Sequence, residues 1–184
     1  GKVAAFFIVK KIDNQARRAV VWHQSLSSAT QSYLILTQTN ADTTDTLWNN
    51  TAPTSSTISV QKDTTEVNSP SGDSFVCWAW SEIEGFSKFS KYEGNGNADG
   101  PFIYTGFRPK MIFIKSVDGA SGDWIVIDTA RSTFNVTNAG LSWNENYVEA
   151  TSNRECDILS NGFKIRTSNT NLNKASETYI YGAW

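Results

Sequence analysis

The chain is poor in the residues that enzymes most often recruit. Histidine occurs once in 184 residues, at His23, so a metal site needing two imidazoles is excluded and a single triad base is left. Cysteine occurs only at Cys77 and Cys156, too few for a disulfide framework. One bridge or two separate thiols remain open, the thiols being the simpler reading. No run of 18 apolar residues exists, so no apolar helix spans a bilayer and membrane insertion is not expected. A net charge of −2 with 18% charged residues supplies no basic field, which argues against nucleic acid as a partner. GxSxG, HExxH, phosphate-loop and dinucleotide-binding patterns are all missing, and no cofactor is implied. No window sustains an apolar period of 3.6 over three turns, so helix should be scarce.

What the chain does contain is short apolar runs between turn formers, with abundant Ser, Thr and Asn and seven tryptophans. In residues 106–131, Met111, Ile112, Phe113 and Ile114 make one run and Trp124, Ile125, Val126 and Ile127 another. Asp118, Gly119 and Gly122 lie between them, which reads as a buried hairpin. Residues 1–26 lie over 106–131 at a shift of 105 without a gap, pairing Gly1 with Gly106, Lys10 with Lys115, Asp13 with Asp118 and Val21 with Val126.

Further landmarks keep the shift. Ile58 and Val60, expected in a strand, precede Phe163 and Ile165 by 105, as Val67 and Asn68 precede Leu172 and Asn173. FVCWAW at 75–80 matches the terminal YIYGAW at a shift of 104, one residue being lost in the turn before it. The pattern predicts an all-β fold, a tandemly duplicated antiparallel β-sandwich of jelly-roll or lectin-like kind, with repeats at 1–81 and 82–184. Lys10, Lys11, Arg17 and Arg18 read as edge charges, residues 41–56 as a loop around Leu47 and Trp48, and 63–68 as a turn with a short return. Residues 86–107, with aromatics on either side of GNGNADG, read as a β-hairpin belonging to the second repeat. Its counterpart would fall ahead of Gly1, so either the first repeat is truncated or a longer parent chain carries modules upstream. Open sheet edges imply cover by a neighbour, hence a homo-oligomer such as a trimer.

The segments YEGNGNADGPFIYTGFRPKMIFIK, DWIVIDTAR, DILSNGFKIR and TYIYGAW, with APTSS and SEIEGFSKFSKY earlier, resemble a repeat domain of large structural proteins of tailed phages, especially marine ones. The resemblance covers nearly the whole chain in order and is most specific over GNG, ADGPF and TGFRP. VAAFFIVKK departs from it, standing where Pro and Lys more often precede the apolar run. The resemblance implies a virion location, with other virion proteins as partners, and a non-enzymatic part of a tail fibre or appendage. It carries over no catalytic residue. A capsid decoration or head-fibre protein is the alternative within that setting.

Chemistry is tested against this background. Glycoside hydrolysis needs two carboxylates across a sugar ring, and Asp99, Asp118, Asp123, Asp128, Glu155 and Asp157 are available to a surface-polysaccharide depolymerase. Turn carboxylates such as Asp99 and Asp118 are more simply explained by Asx-turn bonding. Asn95, Asn97 and Asp99 offer oxygen ligands for Ca²⁺, although the spacing is not a calcium loop and a plain turn is the simpler reading. His23 is expected to be structural. Trp78, Trp80, Trp124 and Trp184 sit in strand patterns and should be core or half-core. Trp48 and Trp143 lie in polar loops, where the shift does not pair them, and are the candidates for stacking on a host-surface glycan.

Overall fold

The computed structural model describes residues 1–13, 18–62, 66–119 and 122–184; Arg17 and the start of the 63–68 turn lie outside them. The described chain is all-β, with antiparallel sheets throughout and one helix of four residues. It divides into two units, Gly1–Gln38 with Asp42–Glu82, and Thr39–Ala41 with Ile83–Trp184.

The first unit holds β1 (Phe6–Lys11), β2 (Ala19–His23), β3 (Ser32–Ile35), β4 (Thr43–Thr44) and β5 (Phe75–Trp80) in one sheet of order β4-β3-β2-β1-β5. FFIVKK is apolar on successive positions because β1 is central and covered on both faces. On one face Phe7 and Val9 join Val20, Trp22, Ile35, Leu47, Trp48 and Val67, with Ile58, Val60 and Phe75 packed alongside. Phe7 stacks on Trp22 at 5.1 Å and meets the edge of Trp48 at 5.0 Å. The far end of β1 is tied to the start of β5 by Lys11 and Asp73, 2.5 Å apart.

The second unit holds β6 (Lys88–Glu93), β7 (Phe102–Tyr104), β8 (Met111–Ser116), β9 (Ile125–Asp128), β10 (Gly140–Ser142), β11 (Cys156–Leu159), β12 (Gly162–Ile165), α1 (Thr170–Asn173) and β13 (Thr178–Ala183). One sheet runs β10-β9-β8-β13-β6 and a smaller one β11-β12-β7. Side chains of both sheets meet in a single apolar cluster, Ile112, Ile114, Tyr179 and Tyr181 from the larger against Ile103, Ile158, Phe163 and Ile165 from the smaller. Within this unit the ammonium of Lys115, fully buried, donates to the carbonyls of Thr39 at 3.0 Å, Asn40 at 3.0 Å and Ser116 at 2.5 Å. Main-chain oxygens thus replace the water that a buried cation loses.

The registers of the central strand with its two neighbours coincide under the shifts read from sequence, whereas β2 with β3 and β9 with β10 differ by two residues, Val20 pairing with Ile35 but Ile125 with Ser142. Phe6 pairs with His23 and Phe7 with Trp22, while Met111 pairs with Asp128 and Ile112 with Ile127. On the other side Phe7 pairs with Ala79 and Val9 with Cys77, while Ile112 pairs with Ala183 and Ile114 with Tyr181.

Two expectations are corrected. Residues 86–107 are not a hairpin: β6 joins β13 in the larger sheet and β7 joins β12 in the smaller, so the segment straps one sheet to the other. GNGNADG is too long and too firmly bonded to Asn173 to fold the strands back on each other. Ile58 and Val60 form no strand. Phe163 and Ile165 have β7 and β11 on either side, whereas no described strand lies beside Ile58 and Val60.

Two outcomes follow for the first unit. Trp48→Ala should cost about 3–5 kcal/mol in chemical denaturation, since the ring fills the core and its indole N–H is spent on Ser32. The Asp73 carboxyl is held far below the usual carboxylate range by Lys11 first and by Ser69 and Ser71 next. A depressed native pKa adds stability above the unfolded value near 4, lost as pH falls from there through the native value. Denaturation midpoints followed downward from about pH 5 should therefore fall less in Asp73→Asn than in the parent.

Candidate functional site

The two tryptophans singled out for ligand contact separate. Trp48 is 1% exposed, with its indole N–H donating to Ser32 O at 2.8 Å, and offers no face to a ligand. The polar residues of its loop bond among themselves and turn Leu47 and Trp48 inward, a placement that loop composition does not reveal. Trp143 is 38% exposed and keeps one side against Phe113 at 5.5 Å. Trp78, expected to be core or half-core, is 46% exposed because β5 ends the order of described strands in its sheet.

Trp143 lies in a stretch, 134–148, that exposes several large apolar side chains among the polar Asn135, Asn138, Glu145 and Asn146. Phe134, Val136, Leu141, Tyr147 and Val148 are exposed with it, Phe134 at 84% and Val148 at 91%. The stretch is held by main-chain bonds at several points. Gly140 and Ala150 exchange N–H···O bonds of 2.9 and 3.0 Å, Thr137 and Cys156 do the same at 2.9 Å, and Trp143 donates to Trp124 O at 2.9 Å. Asn144 accepts from Trp124 N at 2.8 Å and donates to Asp123 at 2.9 Å, so Tyr147 and Val148 stand at the tip of a stapled loop. The sequence held a signal for this face. Subtracting 105 from Val136, Trp143, Tyr147 and Val148 reaches Gln31, Gln38, Asp42 and Thr43, so these four have polar counterparts, whereas Phe134 and Leu141 fall on Ala29 and Leu36.

The oxygens proposed for Ca²⁺ are already engaged. Asn95 Oδ1 accepts from Asn97 N at 2.9 Å and Asn173 Nδ2 at 3.0 Å, and Asn97 Oδ1 accepts from Asp99 N at 2.9 Å. Asp99 lies 2.9 Å from Lys164 and 3.7 Å from Arg166, and the Lys164 ammonium holds its carboxyl below the usual range. The loop is a run of Asx turns facing two cations, which is the wrong field for a divalent ion.

The carboxylates do not converge as a catalytic pair. Asp118 accepts from Thr178 N, Asp123 from two asparagine amides, and Glu155 from Asn153 N. Burial opposes ionisation of Asp128, but the Arg131 and Ala130 amides and the Arg131 guanidinium outweigh it and hold the carboxyl low. Asp157 and Asp99 approach only through Arg166, at 3.4 and 3.7 Å. A general acid needs a raised pKa, which a guanidinium bridge opposes. His23 is buried, with Nδ1 accepting from Ser25 N at 3.1 Å.

These features define an all-β protein whose distinctive surface is a braced apolar loop with no assembled reactive centre among the described residues. A family model for a domain of unknown function, DUF7483, matches residues 1–184, and the chain belongs to that family. No curated protein and no solved structure matches the chain.

Cys77 and Cys156 are both free, which settles the question of a bridge. Cys156 is fully buried and its thiol is pushed far up by that burial, whereas Cys77 is exposed, with a smaller upward shift from partial burial. A thiol-reactive probe at about pH 8.5 should therefore label one cysteine in native protein and both in denaturant. Mass spectrometry should place the native label on Cys77.

Proposed function

We propose that this chain is a non-enzymatic structural module of a phage virion, part of a fibre or appendage, that presents residues 134–148 to the host surface. The observation that carries the reading is the exposed apolar set of Phe134, Trp143, Tyr147 and Val148 on a loop braced at Gly140–Ala150 and Asn144. Exposed aromatic rings on a rigid support lose little freedom on contact and stack well on the apolar face of a sugar. The resemblance of GNGNADGPFIYTGFRP and its neighbours to phage structural repeats supports the virion setting, with other virion proteins and further copies of the chain as partners. Engaged carboxylates favour attachment over depolymerisation.

The same reading takes the architecture to be a duplicated β-sandwich. The coincident registers of β1 with β2 and β5, and of β8 with β9 and β13, support it. Two agreements of register around the central strand favour common origin, since a one-residue slip is always open to a strand.

Binding to intact host cells and to a glycan array tests the reading. Saturable binding should weaken about tenfold in Trp143→Ala and in Tyr147→Ala, as loss of one stacked ring implies, and stay unchanged in Gln38→Ala. Binding unaltered in both aromatic variants would remove the assignment of this face. Release of reducing sugar would replace attachment by depolymerisation, and labelling confined to the capsid of intact particles would replace the appendage by a decoration protein.

A further inference from the structure

The exposed rings of residues 134–148 stand in an excess of negative charge. Residues 116–163 hold seven carboxylates and two arginines but no lysine, a net charge of −5 in a chain whose total is −2. Most of these carboxylates are matched. Arg154 lies 3.8 Å from Asp123 and Arg166 lies 3.4 Å from Asp157, Arg131 pairs with Asp128, and Asp118 and Glu155 accept from main-chain amides.

The two left over belong to the loop itself. Its tip runs Glu145, Asn146, Tyr147, Val148, Glu149, and all five residues are exposed. Glu145 accepts from the neutral amide of Asn144 at 3.0 Å and makes no ion pair among the described residues. Glu149 lies 3.6 Å from Nε of Arg131, a guanidinium already committed to Asp128. Tyr147 and Val148 are therefore bracketed by two carboxylates whose charge is only partly offset.

We propose that the surface glycan taken by this face carries free amino groups, and that glycans bearing uronate, sulfate or phosphate are turned away. A protonated amine over the exposed side of Trp143 or Tyr147 gains a cation–π contact, and the flanking carboxylates add attraction. An anionic sugar meets the same field with the opposite sign. The nearby guanidiniums of Arg131 and Arg154 are already paired with Asp128 and Asp123 and do not replace the water it would lose. Charge here fixes the choice of ligand, while the rings supply the contact. The inference rests on the attachment reading proposed above and adds to it the charge class of the ligand.

The test measures binding of the full chain to three oligosaccharide series of matched length: oligomers of glucosamine, of N-acetylglucosamine and of a uronate. At low ionic strength and about pH 6, below the usual range of a free amine, the glucosamine oligomers should bind about fivefold tighter than the N-acetylated ones. The uronate oligomers should bind about fivefold weaker than the N-acetylated ones. Both gaps should shrink when salt is raised to about 0.5 M. Glu145→Gln keeps an acceptor for Asn144 and removes the charge, so it should narrow the span between glucosamine and uronate about fivefold and leave N-acetylglucosamine binding unchanged. Trp143→Ala should weaken all three series together. Uronate bound as tightly as glucosamine, a preference indifferent to salt, or a span unchanged in Glu145→Gln would each overturn the inference while Trp143-dependent binding kept the attachment reading. Binding of no series, or saturable binding to vesicles of anionic phospholipid instead, would overturn both.

Discussion

Both units depend on a central strand covered on its two faces. Once β1 and β8 have neighbours on each side and apolar layers above and below, their residues divide strictly between faces. Phe7 and Val9 go to the cluster of Trp22 and Trp48, and Ile112 and Ile114 to that of Tyr181 and Phe163. A slip of one residue would exchange these sets and put Lys10 or Lys115 among the rings. The flanking strands inherit their register from this division, and so does the placement of every loop between them.

The polar groups show the same economy. Lys115 is surrounded by carbonyls, and Tyr179, its hydroxyl pushed up to about 12 by burial, donates to Thr170 O and accepts from Lys174 N. Asn173 ties the GNGNADG loop to α1 through Asn95 and Asn97 O. Groups that look reactive in isolation are engaged in satisfying turns and ends of strands. The braced loop exposes Tyr147 and Val148, and β5 ends the order of described strands in its sheet.

The sequence by itself determined the strand class, the paired apolar runs around residues 106–131 and 1–26, and the shift relating them. These are local matters of alternation, run length and turn chemistry. It also marked Trp143, which with Tyr147 and Val148 falls on polar residues at the shift. Tertiary structure decided what local pattern could not. Trp48 and Trp143 both sit in polar loops, yet one fills a core and the other faces solvent, because burial depends on which elements close over a loop. Trp78 and Gly182 occupy matching positions in matching strands, and only the presence of β6 beside one of them separates an exposed edge from a buried interior. Whether β6 and β7 fold back on each other or part to different sheets is likewise settled by the strands waiting to pair with them, since backbone hydrogen bonds are satisfied across the fold and not along the chain.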